Sequence, residues 1–178
     1  MAKVRVATVW FSGCAGCHMS FLDIDETLID LAGLIELKNS PLTDLKTFPE
    51  DGVDVTLIEG AVANEEHLHI ARVARERSKI VIALGDCAVT GNVPALRNGM
   101  DPDRMIEGIY GKPVTSNGVL PYEAVPRLLP RVAPLAEVIP VDYFLHGCPP
   151  AAELIAKAVL ALVHGKTPEL VGPDLKFG

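Results

Sequence analysis

The sequence predicts an α/β protein, a flavodoxin-like doubly wound parallel sheet formed as one domain over residues 1–178. Three observations carry this expectation. Apolar β-like runs alternate with amphipathic helix-like runs through short connections, the pattern of a parallel sheet covered on both faces. A chain of 178 residues suits one such domain and can bury a real core. The four cysteines follow three of the β-like runs directly: Cys14 and Cys17 as C-A-G-C, Cys87 in G-D-C-A and Cys148 in G-C-P-P. The carboxyl ends of strands form the edge where α/β sheets bind their ligands.

Taken in order, Val4 to Phe11 (V-R-V-A-T-V-W-F) is the first strand. Met19 to Ala32 is expected as one helix, with Phe21, Leu22, Ile24, Leu28, Ile29 and Leu31 on its apolar face and Gly33 as its stop. Residues 39–52 hold two prolines and a glycine and form a loop. Val53 to Ile58 is the second strand and runs into Glu59-Gly60. Asn64 caps a helix reaching about Arg77, with Glu65 and Glu66 in the first turn, where the helix dipole favours anions. Lys79 to Gly85 is the third strand. Signals between Ala88 and Pro140 are mixed: a helix start at Asp101-Pro102-Asp103, a turn at Ser116-Asn117-Gly118, and a helix-like stretch from Tyr122 to Ala136 broken by prolines. Val141 to Gly147 is the fourth strand. Pro149-Pro150 then open a last helix through His164, capped by Gly165 and apolar nearly all round, which predicts that it is buried.

Composition excludes several functions. A net charge of −7 and the absence of any Lys/Arg-rich block argue against nucleic acid as a partner. Aromatic residues make up only 5%, too few for base-stacking platforms. Lys3 and Arg5 before an apolar run ending near Cys14 faintly resemble a lipoprotein signal. The uninterrupted apolar core, residues 6–11, is shorter than the roughly 7–15 residues such a signal needs and is β-branched, so it is read as a strand. No stretch approaches the roughly 18 apolar residues of a membrane helix, and no twin-arginine signal is seen. No membrane insertion is expected, and the expected compartment is the cytoplasm, where cysteines serve as metal ligands or redox groups more often than as disulfides. The mean hydropathy of +0.29 is apolar for a domain this size and fits either a dense core or a buried partner surface.

The cysteine set admits several chemistries. C-x-x-C between a strand and a helix suggests a dithiol redox pair, but this leaves Cys87 and Cys148 unexplained. Four cysteines can hold structural zinc, usually as two C-x-x-C knuckles, whereas here the third and fourth stand singly and far apart. One buried cysteine can be a plain small hydrophobe; four so placed are not. One iron–sulfur cluster fits best. Gly13, Gly16, Gly85 and Gly147 would let the backbone approach an inorganic core and aim N–H groups at its sulfides. Pro149 follows its cysteine as proline does in bacterial ferredoxin runs.

Other candidates are weaker. Glu59 ends the second strand on the cysteine edge and is either a cluster-side group or an exposed loop carboxylate. His18 and His146 sit close to ligand cysteines and could donate hydrogen bonds behind them or be merely structural. His67 and His69 point to different faces of a helix and are read as surface residues. No G-x-G-x-x-G follows the first strand, and Gly111-Lys112-Pro113 lacks the rest of a phosphate loop.

The stretches S-G-C-A-G-C-H-M-S-F-L-D (12–23), I-E-G-A-V (58–62), G-D-C-A-V-T-G-N-V-P-A (85–95) and H-G-C-P-P (146–150) together resemble the small subunit of cytoplasmic [NiFe] hydrogenases, most nearly the NAD-reducing, bidirectional type. The resemblance covers nearly the whole chain. It implies that Cys14, Cys17, Cys87 and Cys148 ligate one proximal [4Fe-4S] cluster, with Glu59 at an acidic position beside it. It implies as partners a large subunit bearing the nickel–iron site and diaphorase subunits carrying iron–sulfur clusters and flavin, which reduce a nicotinamide. FMN is not expected on this chain, because no phosphate-cradling loop is present. Membrane-linked members carry a twin-arginine signal and a further cluster-bearing domain, and neither is expected here. The related iron–sulfur subunit of quinone reductase (complex I) is the alternative, but it has adjacent cysteines where this chain has C-x-x-C. A dithiol oxidoreductase is the more distant one.

Overall fold

A computed structural model of the chain describes residues 2–112, 117–123 and 125–176. Five strands form one parallel sheet: β1 (Val4–Trp10), β2 (Ile35–Asn39), β3 (Val53–Glu59), β5 (Ser78–Leu84) and β7 (Tyr143–Leu145). Their order is β2-β1-β3-β5-β7. Counted among themselves these strands run 2-1-3-4-5, the flavodoxin-like order, with its topological switch point between β1 and β3. Two further strands, β4 (Val62–Asn64) and β6 (Leu128–Ala133), pair antiparallel beside it.

Side-chain alternation along the strands divides the core into two layers. Ala7, Val9, Ile58, Val81 and Ala83 face one side. There they meet Ala71 and Ala74 of α3 (Glu65–Glu76), Ala88 of α4 (Asp86–Thr90), and Leu135. Val6, Val55, Leu57, Ile82 and Leu84 face the other side. They pack against Cys17 of α1 (Gly16–Leu22), Leu31 of α2 (Thr27–Leu34), and Ile155 and Val159 of α6 (Ala152–Val163). Asn64 caps α3 as expected, its side chain accepting from His67 N at 2.7 Å. Asp101 likewise caps α5 (Pro102–Tyr110), accepting from Asp103 N at 2.9 Å.

Several expectations are corrected. The single helix from Met19 to Ala32 is two, α1 and α2, separated at residues 23–26 where Asp25 takes a positive φ of 53°. Asp side chains offer the backbone local partners that compete with the helix, and buried Ile24 draws this break into the core. Gly33 does not stop a helix; it lies inside α2 with nothing within 4 Å of where a Cβ would stand. The chain then enters β2, whose alternation (Ile35 and Leu37 against Glu36 and Lys38) is a strand signal absent from the expected elements. The stretch from Tyr122 to Ala136 is not helix-like: it holds β6 and the start of a short 3-10 turn at Leu135–Glu137. Pro130 is tolerated in β6 because that strand pairs on one side only. Of the turn expected at 116–118, residue 116 lies outside the described residues. Helix α6 is not buried all round: Ile155, Ala158 and Val159 are buried, and its other apolar residues are half-buried. His67 is half-buried and stacks on Phe11 with ring centroids 4.8 Å apart, while His69 is exposed. No helix among the described residues is long and apolar enough to cross a membrane.

The position of Gly33 has a measurable consequence. In an exposed helix interior, Ala is favoured over Gly by roughly 0.5–1 kcal/mol. Gly33→Ala is therefore expected to raise unfolding free energy by about that amount in chemical denaturation. A loss of stability would return Gly33 to a left-handed helix stop.

Candidate metal centre

The register of the sheet brings the cysteines together. Trp10 lies opposite Glu59, Glu59 opposite Leu84, and Leu84 opposite Leu145. Four strands thus end level, and the residues that follow leave the sheet side by side.

Three sets of hydrogen bonds tie the departing loops. Ser12 N donates to Ala61 O at 3.1 Å and Ala61 N returns to Ser12 O at 2.8 Å, joining the loops after β1 and β3. Gly60 permits this at φ +88°, since a Cβ there would stand 2.8 Å from Ser12 O. Asp86 N donates to Gly147 O at 2.9 Å, and Gly147 N donates to the buried Asp86 Oδ1 at 2.8 Å. That reciprocal pair sets Cys87 beside Cys148. Ser20 Oγ donates to Pro150 O at 2.5 Å, which fixes α1 to the Cys148 loop.

The four cysteines, Glu59, Asp86, Gly16, Gly147 and Pro149 line one small cavity. All four thiols are free; Cys17 is buried, Cys87 half-buried, and Cys14 and Cys148 exposed. The backbone approaches the sulfurs closely, with Gly16 N donating to Cys14 Sγ at 3.4 Å. Asn92 Nδ2 donates to Cys148 Sγ at 3.5 Å. At Gly85, with φ +81°, a Cβ would lie 2.2 Å from Cys17 Sγ, so no side chain fits. No three His, Cys, Asp or Glu side chains among the described residues are placed to hold a single metal ion.

Charge in the cavity has one sign. Burial first, then Glu59 and the other three cysteines, pushes the Cys17 thiol far above its ordinary range. Burial, then Cys148, Cys14, Glu59 and Asp86, also raises Cys87. A cationic metal core would reverse this, since coordination deprotonates thiols outright. Four soft sulfur donors, glycines that clear space beside them, and a backbone N–H and a side-chain amide donating to sulfur fit an iron–sulfur cluster.

Glu59 is not an exposed loop carboxylate. It is 1% exposed, and its Oε2 accepts from His18 N at 2.9 Å and contacts His18 Nδ1. His146 stands apart, lining a different hollow with Ala151, Glu153 and Lys157. Sequence reasoning missed Asp86 and Asn92. The signals were present: a carboxylate in the first turn of a helix next to Cys87, and a Gly-Asn turn directly after that helix.

Fold and site together define a flavodoxin-like domain with a four-cysteine centre at the carboxyl edge of its sheet. The family model for the NADH ubiquinone oxidoreductase 20 Kd subunit matches residues 14–162. The chain belongs to that family, and within it is of the [NiFe] hydrogenase small-subunit type. It is 43% identical over 177 residues to a subunit of the F420-non-reducing hydrogenase of Methanothermobacter thermautotrophicus, covering 97% of this chain and 58% of that protein. The chain thus spans a little over half the length of that relative. It is 38% identical over 169 residues to the delta subunit of the NAD-reducing hydrogenase HoxS of Cupriavidus necator, covering 92% and 80% of the two chains. A solved NAD+-reducing [NiFe]-hydrogenase in the H2-reduced state contains a chain with a TM-score of 0.91 and 38% identity, covering 99% of this chain and 100% of that one.

Gly85 sits at φ +81° and ψ 162°, a backbone region that essentially only glycine adopts, and a Cβ there would also stand 2.2 Å from Cys17 Sγ. Gly165 has φ +68° and nothing within 4 Å of where a Cβ would stand, so it carries backbone strain alone. Gly165→Ala is expected to cost the left-handed backbone penalty, about 1–2 kcal/mol. Gly85→Ala should cost clearly more in the same denaturation assay, from its less accessible backbone conformation and the displacement of Cys17 together. Equal losses would mean that neither adds to the cost at Gly85.

Proposed function

We propose that this chain, over residues 1–178, is the electron-transfer small subunit of a cytoplasmic [NiFe] hydrogenase, holding one [4Fe-4S] cluster on Cys14, Cys17, Cys87 and Cys148 with Glu59 beside it. The observation that carries the reading is the convergence of four thiols from three strand ends on one cavity. When bound, the cluster supplies one-electron acceptance and donation. The chain's own residues hold it, exclude side chains from its surroundings and set its electrostatic environment.

Two rival chemistries fit less well. A dithiol oxidoreductase uses only the C-x-x-C pair, whereas Cys87 and Cys148 line the same cavity and would have no part in it. Structural zinc is usually held by two C-x-x-C knuckles, whereas here the third and fourth cysteines stand singly after separate strands. A polynuclear core spans a wider ligand set.

The remaining chemistry belongs to partners. Four cysteines suffice for one cubane and leave none to bind nickel, so hydrogen is activated in a large subunit. No dinucleotide fingerprint follows β1, so nicotinamide reduction belongs to diaphorase subunits carrying flavin and further clusters. Exposed Cys14 and Cys148, with exposed Met19 close to Cys17, give the site an open side for the large subunit. The identity to F420-non-reducing relatives favours a second reading for the acceptor alone, in which the electrons go to a carrier other than NAD.

Anaerobic purification with accompanying subunits should yield about four iron and four acid-labile sulfides for this chain's site. Stoichiometric zinc without sulfide would refute the cluster. Cysteine-to-alanine changes at each of the four positions should each abolish cluster binding or hydrogen-dependent electron flow. If Cys87→Ala and Cys148→Ala retain both, the dithiol reading wins. Hydrogen-dependent reduction of NAD+ by the complex is the expected activity, and reduction of other acceptors without NAD+ would select the second reading.

A further inference from the structure

Glu59 is held from one side only. Its Oε2 receives both hydrogen bonds, from the backbone N–H of His18 at 2.9 Å and from the ring Nδ1 of the same residue. Its Oε1 has no hydrogen-bond partner among the described residues and lies toward Gly13, where a Cβ would stand 3.5 Å away. Glu59 also forms part of the wall of the four-cysteine cavity. His18 is itself 2% exposed, and its Nε2 has no partner among the described residues.

A buried carboxylate with only a structural task normally has both oxygens satisfied. Here one oxygen carries both bonds. Two donors from one residue anchor that oxygen, the backbone N–H of His18 and its ring Nδ1 both meeting Oε2. Strand β3 supplies the rest of the constraint. Glu59 has the side-chain parity of Val55 and Leu57, so it points to the face on which α1 lies.

We propose that His18 is a positioning residue for the metal centre: by fixing Oε2 of Glu59 it keeps Oε1 free and turned toward the group that the cysteines hold. The carboxylate then acts on that group, opposing its reduction, and His18 acts only through Glu59. This rests on the cluster reading above and assigns the residue that controls the carboxylate beside it.

The test is a double-mutant cycle on the complex purified anaerobically, with the cluster's midpoint read by EPR-monitored redox titration. Glu59→Gln is expected to change the reduced-to-oxidised ratio at the wild-type midpoint about tenfold toward reduced, a shift of about 59 mV for a one-electron couple. His18→Ala should shift that ratio at least threefold, and should add nothing in the Glu59→Gln background. His18→Asn, whose side-chain N–H reaches the place of Nδ1, should keep the wild-type midpoint. Equal His18→Ala shifts in both backgrounds, or a shifted His18→Asn, would overturn the proposal. A Glu59→Gln shift with none from His18→Ala would overturn it while leaving Glu59 beside the cluster. If His18→Ala loses its cluster, His18→Asn decides: retention at the wild-type midpoint supports the proposal and equal loss refutes it. No iron–sulfur signal in the wild type would overturn both readings.

Discussion

The site depends on the hydrogen-bond ladder that ends four parallel strands at one level. Trp10, Glu59, Leu84 and Leu145 stand in a row across β1, β3, β5 and β7. A slip of one residue in β3 would turn Glu59 to the opposite face of the sheet, under α3 instead of α1. The same slip would move Gly60 and Ala61 out of line with Phe11 and Ser12. The ladder therefore fixes both the place of the cysteine loops and the face on which the buried carboxylate lies. Hydrophobic burial on both faces holds the register, since Leu57 and Ile58 are each fully buried on opposite sides.

The electrostatics of the edge oppose the fold that builds it. Thiols and a carboxylate converge where burial already disfavours negative charge, and each raises the cost of ionising the next. The convergence is held by bonds outside the sulfur set: Asp86 to Gly147, Ser12 to Ala61 and Ser20 to Pro150. None of these engages a cysteine side chain, so the loops are tied without occupying the sulfur atoms. A bound cationic core would turn mutual repulsion into attraction. Pre-organised loops that leave the sulfur atoms unoccupied are what such a site requires before binding.

Legibility in the sequence followed the strength of local physics. The parallel strands β1, β3 and β5 were readable because each is a seven-residue run rich in apolar and β-branched residues. The capped helices α3 and α5 were readable from Asn64 and Asp101. Of the edge elements, β7 was readable as the run before Cys148, although it is shorter than expected; β2, which alternates over only five residues, and β4, which has three, were not, because each depends on its neighbour more than on its own pattern. β6 was hidden by four prolines between Pro121 and Pro134 that break any periodicity. At the site, cysteines following strand-like runs were visible one by one. The bond from His18 to Glu59 was not, because it joins residues 41 positions apart whose meeting depends on the register of β3 and the placement of α1.

The centre is also asymmetric in depth, and this bears on how the proposed subunit would work. Cys17, His18 and Glu59 form a buried floor, while Cys14 and Cys148 are exposed at the rim. Around that rim the sequence places apolar groups that water does not favour: Met19 is 57% exposed, and Val93, next to the Asn92 that contacts Cys148, is 63% exposed. A floor screened from solvent lets a fixed carboxylate act on the centre at low dielectric, where its field is strong. An apolar rim closed by another subunit would extend that low dielectric around the exposed sulfurs. In the proposed complex, then, the floor built by this chain and the cover supplied by its partner would set the environment of the centre together.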